Sequence, residues 1–268
     1  MNNRIFITGG ASGLGRAIAE RWAREGWRVC IGDINDERGA ETVAAINELG
    51  GEGRYERVDV TQEAQIQSVA DKLVAEWGGV DIVVNNAGIA TGGRIENHKV
   101  EDWLAVLDIN VVGLARGCKV FTPIFKAQGH GYFLNTSSMA GLIHPPAMAS
   151  YNASKAGAVA LSETLAIELS QDNIGVSVIC PSFFKTNLEE SLRTDDQEIR
   201  VMMSKLFKYA KLTADDVAEA CFVAVKKKRF HVIPLYQDRL IFNLKRVLPF
   251  KQYADMMIKR TVGRYNKK

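Results

Sequence analysis

Short apolar runs alternate with amphipathic segments along most of this chain, and the alternation limits the folds that it can adopt. Seven runs have the length and composition of buried strands: residues 4–8, 28–33, 53–59, 80–85, 131–136, 175–181 and 229–234. Helical periodicity lies between them, over residues 15–25, 37–49, 63–77, 100–126 and 150–170. Repeated strand–helix–strand units are joined by right-handed crossovers into a parallel sheet with helices on both faces. We therefore predict a single α/β domain with a doubly wound Rossmann fold and a parallel sheet of about seven strands.

The composition is that of a folded domain and excludes several other classes of protein. The chain has 268 residues, of which 47% are hydrophobic and 24% charged. These values exclude disordered, collagen-like and disulfide-scaffold proteins. No apolar run approaches the roughly 20 residues that span a bilayer, and the first residues do not resemble a signal peptide. We expect the protein to be cytoplasmic.

Cysteine and histidine spacing gives no sign of a metal site. Cys30, Cys118, Cys180 and Cys221 are scattered without C-x-x-C spacing, and the four histidines form no cluster. Metal sites and disulfide frameworks need closer or repeated spacing of these residues. We expect neither a metal nor a disulfide, and we expect the cysteines to be small buried residues.

Two stretches depart from the alternation. Residues 183–212, here called the lid, form a long mixed segment between two predicted strands, and long excursions of this kind are usually functional. The second stretch is the basic C-terminal end. From Lys226 onward there are 13 Lys and Arg against 2 Asp and Glu, whereas the residues before it carry 21 against 29. An acidic body therefore ends in a basic tail, which the net charge of +3 conceals.

The end of the first predicted strand is rich in glycine. Thr8 leads into G-G-A-S-G-L-G, and a strong helix pattern begins at once. Glycines in such a turn let the backbone approach a pyrophosphate, whose charge is met by free amide groups at the helix start. A glycine-rich turn without a ligand is the alternative. The order of strand, turn and helix favours a nucleotide site formed by Gly9, Ser12, Gly13, Leu14 and Gly15.

The second predicted strand ends at Asp33, 18 residues beyond Gly15. An acidic side chain at this place can accept hydrogen bonds from the adenosine ribose, and its charge would repel a 2′-phosphate. No Arg or Lys lies among residues 34–37, and Ser12 rather than a basic residue precedes Gly13. The sequence therefore favours NAD over NADP. Asp33 as a helix cap or solvated turn residue is the alternative.

Tyr151 and Lys155 are four residues apart, so on a helix they share one face. A phenol with a pKa near 10 is a poor base at neutral pH, and lowering the pKa toward 7 takes roughly 4 kcal/mol of preferential stabilisation of the anion. One ammonium about 4 Å away provides on the order of that energy at an effective dielectric near 20. The pair is electrostatically sufficient for proton transfer, although its spacing alone also fits an ordinary surface pair.

Several short motifs occur with these residues in a fixed order, and through them the chain resembles the short-chain dehydrogenase/reductase family. The resemblance covers roughly residues 3–235. Besides the glycine turn, it rests on Asp59-Val60, Asn85-Asn86-Ala87-Gly88, Asn110-Val111-Val112-Gly113, Ser137-Ser138, Tyr151-Asn152-Ala153-Ser154-Lys155 and residues 181–186. It implies a dinucleotide-binding and catalytic domain of residues 1–235, followed by an amphipathic C-terminal extension of residues 236–268.

The resemblance implies an enzyme that transfers hydride between a nicotinamide and an alcohol or carbonyl carbon. Tyr151 would exchange the proton of the substrate oxygen, and Ser138 would hydrogen-bond the same oxygen. Lys155 would lower the pKa of the tyrosine and bind the nicotinamide ribose. Asn110 would hold a water on a proton path from Lys155. For Asn110, closing a kink in a long helix is the alternative.

The resemblance also implies the remaining cofactor contacts. They are Asp59 and Val60 at the adenine, Asn86, Ala87 and Gly88 along the adenosine and ribose wall, and Pro181, Phe184 and Thr186 beside the nicotinamide. One departure from the family pattern is that Ser182 follows Pro181 where the family usually has glycine. A side chain there can alter the turn near the nicotinamide.

Substrate contacts are expected from strand ends and from the lid. The candidates are Ala140, Gly141, Leu142, His144, Pro145, Met148, Phe183, Leu188, Met202, Met203 and Phe207. They are largely apolar and favour a lipophilic alcohol, ketone or aldehyde, although such residues also serve as plain packing. A non-catalytic NAD(P)-binding sensor or interaction protein of the same fold is the alternative to an enzyme.

The C-terminal extension mixes apolar residues with Lys and Arg between residues 240 and 260. This pattern fits a peripheral contact with an anionic membrane, a cap over the protein's own pocket, or packing on a neighbour. Pro249 should break one long helix there. We expect no nucleic-acid binding, because the body is acidic and the tail has no recognition motif. The resemblance implies a homo-oligomer, a dimer or tetramer, formed through residues 100–126 and 150–170.

Overall fold

The computed structural model describes residues 3–265, and the side chains of residues 3–259. Within this part of the chain there are nine strands and eleven α-helices. The strands are β1 (Arg4–Thr8), β2 (Arg28–Asp33), β3 (Glu52–Arg57), β4 (Ile82–Asn85), β5 (Gly131–Thr136), β6 (Ile174–Ile179), β7 (Phe184–Lys185), β8 (Leu212–Thr213) and β9 (His231–Val232).

The helices lie between and after the strands. They are α1 (Gly13–Ala23), α2 (Asp36–Glu48), α3 (Glu63–Trp77), α4 (Val100–Leu107), α5 (Gly113–Gln128), α6 (Ala140–Ile143), α7 (Ala149–Glu168), α8 (Gln197–Lys208), α9 (Ala214–Lys226), α10 (Tyr236–Val247) and α11 (Phe250–Tyr265). None of the helices within residues 3–265 is long and apolar enough to cross a membrane.

Seven strands form one parallel sheet in the order β3-β2-β1-β4-β5-β6-β9. The predicted fold class and strand number are therefore confirmed. The chain order reverses between β1 and β4, and in a doubly wound sheet this switch point is where the carboxyl ends of the strands open into a crevice. The strands β7 and β8, at the two ends of the lid, pair separately.

Hydrophobic packing covers both faces of the sheet because side chains alternate along each strand. Ile5 and Ile7 of β1 face the core beneath α1 and α9, where the rings of Trp22 and Phe222 meet edge to face at 5.1 Å. Phe6, between them, faces the opposite core with α3, α5 and α7. The four cysteines are all buried.

The long amphipathic stretch of residues 100–126 is not one helix. A π-helical turn at Asp108–Val112 separates α4 from α5. Such turns insert one extra residue into the helical ladder and are often found at functional sites. The hydrophobic period of the sequence continues through the turn, which explains why the pattern alone predicted a single helix.

Candidate active site

A cavity of about 630 Å³ lies at the carboxyl ends of the parallel strands. Residues from the ends of β1, β2, β4 and β5 line one part of it, and residues from the lid and the C-terminal extension line the other. We call these parts the cofactor end and the substrate end. Most of the sequence-predicted site residues line this cavity: Gly9, Ser12, Gly13, Leu14, Asp33, Asp59, Val60, Asn86, Ala87, Gly88, Ser138, Tyr151, Lys155, Pro181, Phe184 and Thr186.

The glycine turn after β1 has the close approaches that only glycine permits. Gly9 has a φ of +64° and donates its backbone N–H to the carbonyl of Gly32 at 2.8 Å. Gly15 does not line the cavity, but a Cβ there would lie 2.0 Å from the Gly9 carbonyl oxygen. The turn therefore needs glycine at both positions. The helix α1 begins at Gly13, which lines the cavity, so the amino-terminal end of the helix lies at the cavity wall.

Asp33 ends β2 on the cavity wall, and its carboxylate orders the turn around it. One carboxylate oxygen accepts the N–H of Ala11 at 3.0 Å, and the other accepts the N–H of Asn35 at 3.1 Å. The cavity is also lined by Arg38, a residue that the sequence argument missed because it lies just beyond the four positions searched for a basic side chain. Arg38 is paired with Glu190 of the lid at 2.8 Å, so its charge is already compensated.

Asn86 fixes the loop after β4 against the glycine turn. Its side-chain amide donates to the carbonyls of Thr8 and Gly9, both at 3.2 Å. The Thr8 hydroxyl in turn accepts the backbone N–H groups of Asn86 and Ala87. This network brings the ends of β1 and β4 together, where Gly88 continues the wall toward Lys155.

Tyr151 and Lys155 lie in the first two turns of α7, and both are buried. The Lys155 ammonium donates to the carbonyl of Thr136, the last residue of β5, at 3.2 Å, and its Nζ is 5.7 Å from the centroid of the Tyr151 ring. Ser138 lies just after β5, accepts the N–H of Ala140 at 3.1 Å and donates to the carbonyl of Pro181. The three side chains therefore meet on one wall of the cavity.

Burial dominates the electrostatics of this wall. It raises the pKa of Tyr151 to about 12, although a hydrogen bond with Ser138 acts in the opposite direction. Burial also lowers the pKa of Lys155 to about 8. An ammonium about 4 Å from the phenol, as expected from the sequence, supplies only the favourable part of the balance, because burial adds a cost of desolvation to both groups.

Asn110 lies in the π-helical turn and does not line the cavity. Its side chain is buried, accepts the N–H of Ile89 at 2.9 Å and donates to the Ile89 carbonyl and to the Ser154 hydroxyl, both at 3.0 Å. These bonds tie the loop after β4 to α7. The Asn110 amide oxygen also lies near Gly88, where a Cβ would be 3.0 Å from it.

Ser182, the departure from the family pattern, faces a carboxylate of the C-terminal extension. Both Ser182 and Asp238 of α10 line the cavity. Burial raises the pKa of Asp238, and a hydrogen bond with Ser182 offsets part of this rise. A serine in place of glycine thus gives the turn after β6 a polar contact with α10. Sequence reasoning noted Ser182 but missed Asp238, which lies 56 residues further along the chain.

The substrate end is apolar. Of the candidate substrate contacts, those that line the cavity are Ala140, Pro145, Met148, Phe183, Leu188, Met203 and Phe207; those that do not are Gly141, Leu142, His144 and Met202. Ile143 lines the cavity, whereas its neighbour Leu142, which was the expected contact, does not. The ring of His144 is held away by Lys245, which donates to its Nδ1 at 2.9 Å, while its Nε2 meets the Gly141 carbonyl.

The C-terminal extension packs on the substrate end. Pro249 separates α10 from α11, as expected. The Tyr253 hydroxyl donates to the Ile143 carbonyl at 2.5 Å, Phe242 packs on the cluster around Met139 and Leu142, and Met257 joins Asp238 in lining the cavity. Arg260, the last residue of the amphipathic stretch, lies outside the described side chains.

Comparison with known proteins agrees with this geometry. Residues 3–197 match the family model of short chain dehydrogenase. The chain is 35% identical over 206 residues to 3-oxoacyl-[acyl-carrier-protein] reductase FabG of Thermotoga maritima, covering 77% of this chain and 84% of that protein. It is 33% identical over 255 residues to Probable oxidoreductase EphD of Mycobacterium tuberculosis, but spans only 43% of that protein's length.

Comparison with solved structures shows that the fold is similar as well. A short chain dehydrogenase/reductase from Burkholderia phymatum in complex with NAD superposes with a TM-score of 0.85 at 33% identity, covering 91% of this chain and 93% of that one. The matched family model and these likenesses extend across the strands, the glycine turn and the cavity described above. The chain therefore belongs to the short-chain dehydrogenase/reductase family of NAD(P)-binding oxidoreductases.

Proposed function

We propose that this chain is an NAD-dependent dehydrogenase that interconverts a lipophilic alcohol with the corresponding ketone or aldehyde. The observation that carries the proposal is the meeting of Ser138, Tyr151 and Lys155 on the wall of a cavity that the glycine turn also lines. In this assignment residues 1–235 form the dinucleotide-binding and catalytic domain, and residues 236–268 form the C-terminal extension, of which Asp238 and Met257 line the substrate end.

The residues present fit a dinucleotide. The positive φ at Gly9 and the absence of a Cβ at Gly13 leave backbone at the cavity wall, and Asn86, Ala87, Gly88, Asp59 and Val60 continue it. When bound, the nicotinamide supplies or accepts hydride at its C4 atom. Pro181, which accepts a hydrogen bond from Ser138, would lie beside it, together with Phe184 and Thr186, which also line the cavity.

The side chains of the catalytic wall have separate tasks. Tyr151 takes the hydroxyl proton when an alcohol is oxidised and returns it when a carbonyl is reduced. Ser138 donates a hydrogen bond to the same substrate oxygen and stabilises its charge as it develops. Lys155, a cation buried beside the phenol, favours the phenolate and binds the nicotinamide ribose. Asn110 orders the loop before it and holds a water on the proton path to solvent.

The preference for NAD over NADP rests on Asp33. Its carboxylate reaches the cofactor end, where it would accept hydrogen bonds from ribose hydroxyls and repel a 2′-phosphate. Arg38, the nearby cation on the same wall, is engaged by Glu190 and is not free to attract the 2′-phosphate. The local charge therefore favours the cofactor without that phosphate.

A lipophilic substrate is supported by the walls of the substrate end. Met148, Met203 and Phe207 belong to one buried cluster with Tyr151, so the ring of Tyr151 packs against apolar surface. An apolar pocket with few polar groups binds apolar ligands and uses those groups for orientation. The FabG relative is named as a reductase of 3-oxoacyl groups, which also carry an aliphatic chain.

We also infer that the protein forms a homo-oligomer. Val100 and Leu104 of α4 and Ile167 of α7 are large apolar residues with more than 60% of their surface exposed. These residues lie on the two helical stretches that are expected to form the subunit contact, and their exposed apolar surface supports it. Sedimentation velocity should show a dimer or tetramer, and Leu104→Glu with Ile167→Glu should lower the mass.

The test of the activity is nicotinamide absorbance with paired substrates. We expect reduction of NAD by hydrophobic secondary alcohols such as 2-decanol, with a higher kcat/KM than for a polyol such as xylitol. Higher kcat/KM for the polyol would contradict a lipophilic substrate. Tight NAD binding without hydride transfer to or from any alcohol, ketone or aldehyde of a broad panel would instead favour a cofactor-binding sensor.

A further inference from the structure

The outward face of α10 is apolar, which is the reverse of an ordinary surface helix. Tyr236, Leu240, Leu244 and Val247 follow one another at intervals of four, four and three residues and therefore share a face. All four are exposed, Val247 by 75%. Phe250, at the start of α11, is exposed by 80%. We call these five residues the apolar stripe.

The apolar stripe is not the face by which α10 packs on the domain, because the opposite face of the helix makes those contacts. Phe242 contacts the core cluster that includes Met139 and Leu142, and Asp238 lines the cavity. Lys245 donates to the carbonyl of Leu142 and to His144. The helix is thus anchored by one face, and the apolar stripe points away from the domain.

Basic side chains accompany the stripe. Arg239 and Arg246 of α10 and Lys251 and Lys259 of α11 are exposed, and Asp255 is the one exposed acidic residue among the described side chains of these two helices. The surrounding sequence is basic as well, because residues 226–268 carry 13 Lys and Arg against 2 Asp and Glu. Exposed apolar residues accompanied by cations match the chemistry of an anionic lipid surface.

We propose that α10 and the start of α11 dock on the surface of an anionic membrane, with the apolar stripe in the headgroup region. The helix α10 has 12 residues, about 18 Å at 1.5 Å per residue, which is too short to span a bilayer and suits a helix that lies flat. Exposed Lys and Arg add roughly 1 kcal/mol each near such a surface.

Docking would bring the substrate end close to the lipid. The inner side of the same two helices contributes Asp238 and Met257 to the cavity wall. A lipophilic alcohol dissolved in the membrane would then meet the cavity beside the docked helices. This consequence rests on the proposed function, whereas the docking itself does not.

The experiment is co-sedimentation of the full chain with vesicles of phosphatidylcholine, with and without phosphatidylglycerol. We expect binding to the anionic vesicles at least about tenfold stronger than to the neutral ones, and weaker binding when NaCl rises from about 0.1 M to about 0.5 M. No binding to either vesicle, or equal and salt-independent binding to both, would overturn the proposal.

Two variants locate the contact. Leu240→Ser with Val247→Ser removes part of the apolar stripe, and the control Val74→Ser removes an exposed apolar residue from α3. Lys251→Glu removes positive charge beside Phe250, and the control Arg24→Glu does so at the end of α1. We expect each tail variant to weaken vesicle binding several-fold or more. Controls that weaken it as much as the tail variants would contradict the assignment.

The alternative is that a second copy of this chain covers the apolar stripe. The variants described above also test this alternative. If the Leu240 and Val247 variant lowers the mass in sedimentation velocity while vesicle binding is absent, the stripe is a subunit interface and the proposal is wrong. Absorbance assays with a soluble alcohol in vesicle-free buffer measure the proposed function separately. Loss of that activity would not change the vesicle result.

Discussion

The two ends of the cavity are built in different ways. The cofactor end consists of short contiguous motifs at the ends of neighbouring strands, such as the glycine turn after β1 and Asp33 at the end of β2. The substrate end combines residues from distant parts of the chain, among them Met148, Phe207 and Met257. Chemistry common to a family is encoded locally, whereas selectivity arises from segments that meet only after folding.

Tyr151 lies at the junction of the two ends. It belongs to α7, whose position is fixed by the sheet, but its ring packs in the cluster that contains Met203 and Phe207 of the lid. Burial in this cluster raises the pKa of the phenol, and the hydrogen bond with Ser138 lowers it. Experiments that separate these contributions test the comparison directly.

The close backbone packing of the glycine turn at the cofactor end can be disrupted by a substitution at Gly15. A Cβ there would lie 2.0 Å from the Gly9 carbonyl oxygen, so Gly15→Ala forces backbone apart. We expect a loss of about 2 to 4 kcal/mol in the free energy of unfolding and weak NAD binding, measured by urea denaturation and calorimetry. The control Gly50→Ala has a φ of +91° but no atom within 4 Å, and should lose about 1 kcal/mol with unchanged NAD affinity.

The charge of the cofactor end can be altered at Asp33. Replacing it by Ser removes repulsion of a 2′-phosphate, so the ratio of kcat/KM for NADP over NAD should rise about tenfold to a hundredfold, or about 1.4 to 2.7 kcal/mol. Asp36→Ser is the control, because Asp36 does not line the cavity. An unchanged ratio in the Asp33 variant would contradict the assignment of the NAD preference to Asp33.

The energetic cost of burying the Lys155 ammonium is measured by Lys155→Met. The native pKa is lowered to about 8, so between that pH and the ordinary value near 10.5 the unfolded chain binds more protons and stability rises with pH. The variant should lose this rise and gain about 1 to 3 kcal/mol at pH 7. Urea denaturation at pH 7 and 9.5 measures both effects. Lys126→Met, at an exposed site, should change stability little.

The smallest effect is expected at the substrate end. Burial raises the pKa of Asp238, so the ionised carboxylate destabilises the native state above that pKa, and the penalty is relieved as the pH falls. Asp238→Asn should therefore raise stability at pH 7 by less than about 1 kcal/mol, with a smaller gain at acidic pH. Asp255→Asn on the exposed side of α11 is the control and should show neither effect. A loss of stability at pH 7 would indicate that Asp238 acts mainly as a hydrogen-bonding anchor.

The sequence was sufficient for the fold because the information is local. Each apolar run and each helical period can be recognised by itself, and the parallel sheet follows from their alternation. The residues of the glycine turn, together with Ser138, Tyr151 and Lys155, line one cavity as their motifs suggested, and their roles remain a prediction.

The remaining features depend on contacts between distant residues. The π-helical turn at Asp108–Val112 does not interrupt the hydrophobic period, and the bonds of Asn110 reach the backbone of Ile89. Asp238 meets Ser182 only when the extension folds back on the body. In the sequence, only the serine at position 182, in place of the usual glycine, pointed to a change in this turn. The mixture of apolar and basic residues between 240 and 260 is visible in the sequence, but the outward face of α10 is identified only by the packing of Phe242 on the body.

The most direct test of the account is hydride transfer by the Tyr151→Phe variant. NAD and an active alcohol are mixed with enzyme in excess, and reduced nicotinamide is followed in a single turnover. We predict an NAD affinity within about threefold of the unaltered protein and a rate of hydride transfer lower by a factor of about 10² to 10⁴. Hydride transfer at an undiminished rate would contradict the role of Tyr151 as the acid and base.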